Sequence, residues 1–131
     1  MKRMLPWLPA LCWMGLIFYL SGRTGSQLKS MFPFFKQFDW GHLVAYFILS
    51  ALFYYALARS TSLKHLPAWT VFLCLLYGIS DEFHQSFVPS RSPELGDIIN
   101  DVLGAVLAVT VLHLYSHKKD RAVNNGKNNH S

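Results

Sequence analysis

The chain has 131 residues, of which 52% are hydrophobic and only 15% are charged. Soluble domains carry roughly a quarter charged residues, so the composition argues against a soluble enzyme and indicates one domain that lies mostly in lipid. The formal net charge is +5, with Lys and Arg in short segments between apolar runs. That distribution is typical of a signal that orients a protein in a membrane. The sequence contains no motif that is known to bind the grooves of DNA or RNA. We therefore expect the lipid bilayer as a partner and no binding of nucleic acid.

Four apolar runs predict an all-α fold, a bundle of four transmembrane helices near residues 4–20, 42–58, 67–87 and 93–115. The first run follows Lys2 and Arg3 and could also be a cleaved signal peptide. It is longer than a usual signal core, and three further apolar runs follow it. We therefore predict a retained helix, and a four-helix membrane domain over residues 1–115.

The third run contains too few apolar residues to cross a bilayer on their own. Its apolar sequence ends at Ile79, short of the roughly 20 residues that a span requires. Backbone that stopped inside the hydrocarbon would keep unsatisfied polar groups. We therefore extend this helix to Phe87, which carries the polar residues after Ile79 into the membrane.

The fourth helix is predicted to begin with a capped first turn. Ser92 suits the N-cap, Pro93 the first helical position and Glu94 the first turn. After Tyr115 the sequence is polar and basic, so residues 116–131 are predicted to be a disordered cytoplasmic tail.

The distribution of Lys and Arg predicts the orientation. The N-terminus, the turn at residues 59–65 and the tail together hold eight Lys and Arg residues, and the other two loops hold four. Segments rich in Lys and Arg stay in the cytoplasm. Both termini are therefore predicted to be cytoplasmic, and the other two loops to face outward.

Three helices are predicted to carry polar residues at the same depth. At about 1.5 Å of rise per residue, Asp81 and Asp101 each lie roughly 21 Å from the cytoplasmic ends of their helices, and His42 lies at roughly 24 Å. This level is the outer part of a hydrocarbon core about 30 Å thick. Helical spacing also places Asp81, His84 and Gln85 on one face, and His42 and Tyr46 on another.

The fourth helix has a polar face that continues into a packing face. Asp97, Asn100, Asp101 and Gly104 follow the spacing i, i+3, i+4 and i+7. Gly104 and Ala108 form a pair of small residues that lets a neighbouring helix approach closely. We therefore expect the polar faces of the helices to meet.

Ionised side chains at this depth are costly, so they are functional candidates unless they are paired or hydrated. The carboxylates could pair with Arg91, bind a divalent cation, hold a proton or act in acid–base catalysis. Glu82 is predicted to point away from the face of Asp81 and Gln85. No H-E-x-x-H pattern is present, so no metal ligands are assigned. The candidate polar site consists of His42, Tyr46, Asp81, Glu82, His84, Gln85, Arg91, Asp97, Asn100 and Asp101.

The sequence around these acids resembles the VanZ-like family. That family's hallmark is a D-E-x-x-Q-x-F-x-P-x-R block, then an Asp, then an N/D-x-x-G helix start. Residues 81–91 read D-E-F-H-Q-S-F-V-P-S-R, and they are followed by Asp97 and by N-D-V-L-G at residues 100–104. Gly41-His42 resembles the second-helix motif, and residues 18–21 resemble the end of the first helix.

The resemblance covers roughly residues 10 to 115 and implies a small bacterial protein that crosses the cytoplasmic membrane several times. The family's namesake contributes to resistance against the glycopeptide antibiotic teicoplanin. A lipid-linked or glycopeptide ligand and an oligomer are compatible with this reading. By matching position, the family motif carries over to His42, Asp81, Glu82, Gln85, Arg91, Asp97, Asn100, Asp101 and Gly104.

Three functions remain open from the sequence. The first is a non-enzymatic envelope protein that limits glycopeptide action. The second is an enzyme that acts on a lipid-linked envelope substrate, with acid–base or metal chemistry from Asp, Glu and His, although no G-x-S-x-G nucleophile motif is present. In the third, the polar residues only hold the helices together. The sequence does not decide whether the protein is an enzyme.

Overall fold

The computed structural model describes residues 4–22, 39–88 and 95–129 of the chain. Within these ranges the fold is all-α and contains no strand. A 3₁₀ turn at Leu5–Trp7 precedes four helices, which are α1 (Leu8–Ser21), α2 (Asp39–Ser60), α3 (Leu66–Gln85) and α4 (Leu95–Asn128).

Local sequence signals explain where the helices begin and turn. Pro9 and Pro67 lie in the first turns of α1 and α3, where proline lacks only an N–H that would have no helical partner. His65, just before α3, adopts a left-handed backbone conformation with φ 62° and reverses the chain after α2. The length argument extended α3 past Ile79 to Phe87, and the helix does continue past Ile79, ending at Gln85.

α4 is longer than the sequence analysis predicted. The expected end was near Tyr115, with a disordered tail over residues 116–131, whereas the helix runs unbroken to Asn128. The added segment contains no proline and includes Lys, Arg and Ala, which favour helices. Its side chains are exposed. The change from apolar to polar residues after Tyr115 shows where the apolar sequence ends, but the helix continues beyond it.

α2 lies at the centre of the bundle, in contact with α1, α3 and α4, and its largest interface is with α4. Tyr46 and Leu49 of α2 are completely buried together with Cys74 of α3 and Ala105 of α4. The Ser50 hydroxyl donates a hydrogen bond to the Ala105 carbonyl at 3.0 Å. Small and hydroxyl residues therefore hold α2 and α4 together, as is typical of helices that pack in lipid.

The pair of small residues predicted on α4 lies in the interior. Gly104 is buried and Ala108 is 1% exposed. A Cβ atom added at Gly104 would overlap the backbone carbonyl of Leu43 and lie 3.1 Å from the backbone nitrogen of Phe47. The backbones of α2 and α4 are thus close enough that only glycine fits at this crossing.

Large apolar side chains cover the outside of the bundle. Leu16, Phe47, Phe72 and Leu107 represent such exposed residues on α1, α2, α3 and α4. By length and composition, Gly41–Ser60 and Leu95–Asn128 could cross a membrane, and Leu5–Ser21 is a shorter apolar helix. Two candidate spans therefore support the membrane assignment.

α1 is attached to the rest of the bundle by aromatic side chains. The Tyr77 hydroxyl donates to the Met14 carbonyl at 2.6 Å, and the Trp13 indole N–H donates to the Ala45 carbonyl at 2.9 Å. Tyr77→Phe should lower the free energy of unfolding by about 1 kcal/mol, because one partly buried hydrogen bond is lost. Reversible unfolding in mixed detergent micelles measures this change. Tyr115→Phe, at an exposed position on α4, is the matched control, and an equal effect of both substitutions would contradict the role of Tyr77.

Candidate functional site

The polar residues meet at the end of the bundle where α1 and α3 finish and α2 and α4 begin. Because successive helices run in opposite directions, the last residue of α1, the end of α3 and the starts of α2 and α4 lie side by side. We call this set the polar cluster, which consists of Ser21, His42, Asp81, Glu82, Gln85, Asp97 and Asp101.

His42 links the polar starts of α2 and α4. Its Nδ1 atom lies 3.0 Å from Oδ1 of Asp101, which is completely buried. On the other side of the ring, Nε2 lies 3.9 Å from Oδ2 of Asp97, beyond hydrogen-bonding distance. The side chains of His42 and Asp97 are 12% and 13% exposed. The imidazole therefore stands between two carboxylates and makes a hydrogen bond with only one of them.

A second set of contacts joins α1 to α3. The Ser21 hydroxyl donates a short hydrogen bond to Oδ1 of Asp81. The Gln85 amide nitrogen lies 3.4 Å from both the Ser21 hydroxyl and Oδ2 of Asp81. All three side chains are buried. The predicted common face of Asp81 and Gln85 is therefore a real contact.

Ser21 was not a candidate from the sequence. It is a common residue at the end of the first apolar run, and nothing in its spacing marks it. The resemblance of residues 18–21 to a family motif was the one signal that could have found it. Its partner, Asp81, lies 60 positions away in the chain.

Glu82, which the sequence analysis directed away from the face of Asp81 and Gln85, is nevertheless buried. It is only 5% exposed, and one of its carboxylate oxygens lies within 4.8 Å of ligand atoms on His42 and Asp97. The prediction for Glu82 considered only which residues share a face of α3, and not which helices pack around α3. Because α4 packs beside α3, the side of α3 next to Asp81 is also interior.

The remaining predicted residues lie around the cluster. Tyr46 is buried, and its ring lies nearly parallel to that of His42 with centroids 6.5 Å apart. His84 stacks on Phe18 of α1 with centroids 4.1 Å apart. Asn100 is half-buried. Arg91 lies outside the described residues, so its expected pairing with the carboxylates stays a prediction.

Gly78 makes room for the central acid. A Cβ atom at this position would lie 2.8 Å from Oδ2 of Asp101. Gly78 precedes Asp81 by three residues and so lies on the same face of α3. Since any larger residue would displace the Asp101 carboxylate, Gly78 belongs to the architecture of the site, a role that the sequence analysis did not assign.

Residues 6–116, most of the chain, match the model of the VanZ/LLP1 family. The chain belongs to this family. The VanZ/LLP1 match includes the described members of the polar cluster and both sides of the α2–α4 crossing at Gly104. The expected family membership is therefore confirmed.

A relative from yeast is also similar to this VanZ/LLP1 chain. An uncharacterized protein of Schizosaccharomyces pombe is 33% identical over 79 residues, which are 60% of this chain and 47% of that protein. The aligned part thus spans about half the length of the relative. Since that relative comes from a eukaryote, proteins similar to this chain are not confined to bacteria. No solved structure matches the chain significantly.

Proposed function

We propose that this VanZ/LLP1 protein crosses the bacterial cytoplasmic membrane with all four helices, and that its outward-facing polar cluster contributes to tolerance of glycopeptides such as teicoplanin. The observation that carries the proposal is the distribution of side chains. Apolar residues cover the outside of α1, α2, α3 and the first part of α4, while Asp81, Glu82 and Asp101 are buried inside. Soluble proteins rarely expose apolar surface so widely, and ionisable residues inside a membrane bundle face its interior and serve function.

The proposed orientation follows from the ends of the helices. The polar cluster lies at the end of the bundle opposite the basic turn between α2 and α3. The tail of α4, which carries Lys118, Lys119 and Arg121, extends from that same opposite end. Positive charges favour the cytoplasmic side. The cluster would then lie near the outer leaflet, where lipid-linked envelope precursors and glycopeptides are accessible.

The proposal predicts that expression in a teicoplanin-sensitive host raises the minimum inhibitory concentration. Asp81→Asn should return it to that of the empty vector, because this substitution removes charge from the polar cluster. Arg91→Ala should do the same, because it removes the arginine of the family motif, which is predicted to pair with the carboxylates. Asp120→Asn, at an exposed position of α4, is the matched control and should retain full tolerance. Membrane fractions should contain equal amounts of all variants. Unchanged sensitivity with wild-type protein present in the membrane would refute the glycopeptide function.

An enzymatic alternative is supported by the contact between His42 and Asp101. A buried carboxylate that holds one nitrogen of an imidazole orients the other nitrogen for acid–base chemistry. The substrate would be a lipid-linked envelope component. In the same strains, an enzyme would change the mass spectrum of extracted envelope lipids, and His42→Gln would abolish that change. A lipid profile identical in the wild-type and empty-vector strains would exclude this alternative.

A further inference from the structure

We propose that the polar cluster binds one divalent transition-metal ion through Nε2 of His42 and carboxylate oxygens of Glu82 and Asp97. The three residues belong to α2, α3 and α4, and each offers one ligand atom within 4.8 Å of the others. Binding of this ion does not depend on whether the protein confers tolerance or acts as an enzyme.

The spacing of His42 and Asp97 suits an ion between them. Their facing atoms are 3.9 Å apart, too far for a hydrogen bond. Two metal–ligand bonds of about 2.1 Å would bridge atoms up to roughly 4.2 Å apart. Around a tetrahedral ion the ligand atoms would be about 3.4 Å apart. Separations of up to 4.8 Å among the three ligand atoms must therefore shorten by up to about 1.4 Å on binding.

His42 is already held as a metal ligand would be. Metal-binding histidines usually donate their second ring N–H to a carboxylate, which fixes the ring and raises its basicity. Asp101 occupies that position, 3.0 Å from Nδ1. With the Nδ1 proton directed at Asp101, the lone pair of Nε2 faces Asp97. Asp101 therefore acts as a positioning residue and not as a ligand.

Three buried polar atoms on the helices that carry the ligands lack hydrogen-bond partners. Among the described residues, the Tyr46 hydroxyl, the Gln85 amide oxygen and Oδ2 of Asp101 are buried without a hydrogen-bond partner. The Gln85 and Tyr46 side chains are 1% and 0% exposed. Buried polar groups are usually satisfied by protein or by water. Water bound to a metal ion would satisfy these atoms, since three protein ligands leave coordination positions open.

The charges also favour a cation. In the described part of the chain, Asp97 and Asp101 make ion pairs with His42 and with no Lys or Arg. Two carboxylates against one imidazole leave net negative charge even when the ring is protonated. Charge of that kind inside a low-dielectric interior is strongly unfavourable. A divalent ion would neutralise it.

The ligand types indicate which ion to test. One imidazole nitrogen with two carboxylate oxygens suits Zn²⁺ or Mn²⁺, whereas Mg²⁺ and Ca²⁺ prefer oxygen ligands alone. The thiol of Cys74 does not belong to the group of candidate ligands. We expect Zn²⁺ to bind more tightly than Mn²⁺, following the usual order of divalent affinities.

The test must separate this site from an exposed histidine pair. His113 and His117 lie one turn apart on α4 with ring centroids 4.7 Å apart, a spacing that can bind metal on its own. The full chain should therefore be purified in detergent, without a histidine tag, as His117→Ala. Isothermal titration with Zn²⁺ should then give one bound ion per chain.

Variants in this background identify the ligands. Asp97→Asn and Glu82→Gln should each weaken Zn²⁺ binding by about 100-fold or more, and Asp101→Asn by about 10- to 100-fold. Asp120→Asn, far along α4, should bind like the background protein. Zn²⁺ should also raise the melting temperature of the background protein, because a ligand stabilises the state that binds it.

Two results would overturn the proposal. One is no stoichiometric Zn²⁺ or Mn²⁺ binding and no thermal shift in the background protein. The other is equal affinity in Asp97→Asn, Glu82→Gln and Asp120→Asn. If a ligand variant fails to fold, the change in melting temperature of the background protein on adding Zn²⁺ still tests whether the ion binds. Neither result bears on teicoplanin tolerance, so this inference and the proposed function fail separately.

Discussion

Gly104→Ala is expected to destabilise the bundle by about 2 to 3 kcal/mol, because one methyl group must be forced into the contact between α2 and α4. The new Cβ would overlap the Leu43 carbonyl and crowd the Phe47 nitrogen. Both neighbours are backbone atoms, so no rotamer change can relieve the overlap. The helices must move apart, which separates the Ser50–Ala105 hydrogen bond and the His42–Asp101 contact together. Unfolding in mixed detergent micelles measures the loss.

Gly96→Ala is the matched control for this substitution. Gly96 lies in the first turn of the same helix, and nothing lies within 4 Å of the Cβ position there. Alanine favours helix by up to about 1 kcal/mol over glycine, so this variant should be as stable as the wild type or slightly more stable. If Gly104→Ala behaved like Gly96→Ala, the close crossing of α2 and α4 would be wrong.

Hydropathy and helix rise could predict much of this architecture. The shortage of apolar residues before Ile79 predicted that the third helix continues to Phe87, and the helix continues to Gln85. The similar depth of His42 and Asp101 predicted that their helix faces meet, and the two side chains lie 3.0 Å apart. Both predictions depend on the geometry of single helices, and that geometry follows from the spacing of residues along the chain. The contact between His42 and Asp101 follows once the polar faces of their two helices meet.

What the sequence could not show are contacts that depend on neighbouring helices. Glu82 lies outside the face of Asp81 and Gln85, yet it is buried because α4 covers that side of α3. Gly78 has a role only because the Asp101 carboxylate projects toward it from another helix. The spacing of residues within α3 contains no information on how α4 packs against it.

The pair of His42 and Asp101 should show the strongest energetic coupling in the polar cluster. Asp101 is completely buried and lies 3.0 Å from the imidazole. Asp101→Ala should cost about 3 kcal/mol of unfolding free energy, because His42 loses its hydrogen-bonding partner in a low-dielectric interior. His42→Ala should also destabilise the protein, since it leaves the buried Asp101 carboxylate without its hydrogen-bonding partner.

A double-mutant cycle separates the contact from the two individual losses. The variant with both substitutions should be more stable than the sum of the single changes predicts, with a coupling energy of about 2 kcal/mol. His117→Ala and Asp120→Ala, an exposed His–Asp pair on α4, form the control cycle and should show additive effects. Additive effects for His42 and Asp101 as well would mean that the two side chains do not interact in the folded protein. Measurable coupling would instead establish that Asp101 holds the imidazole, which both the metal site and the acid–base alternative require.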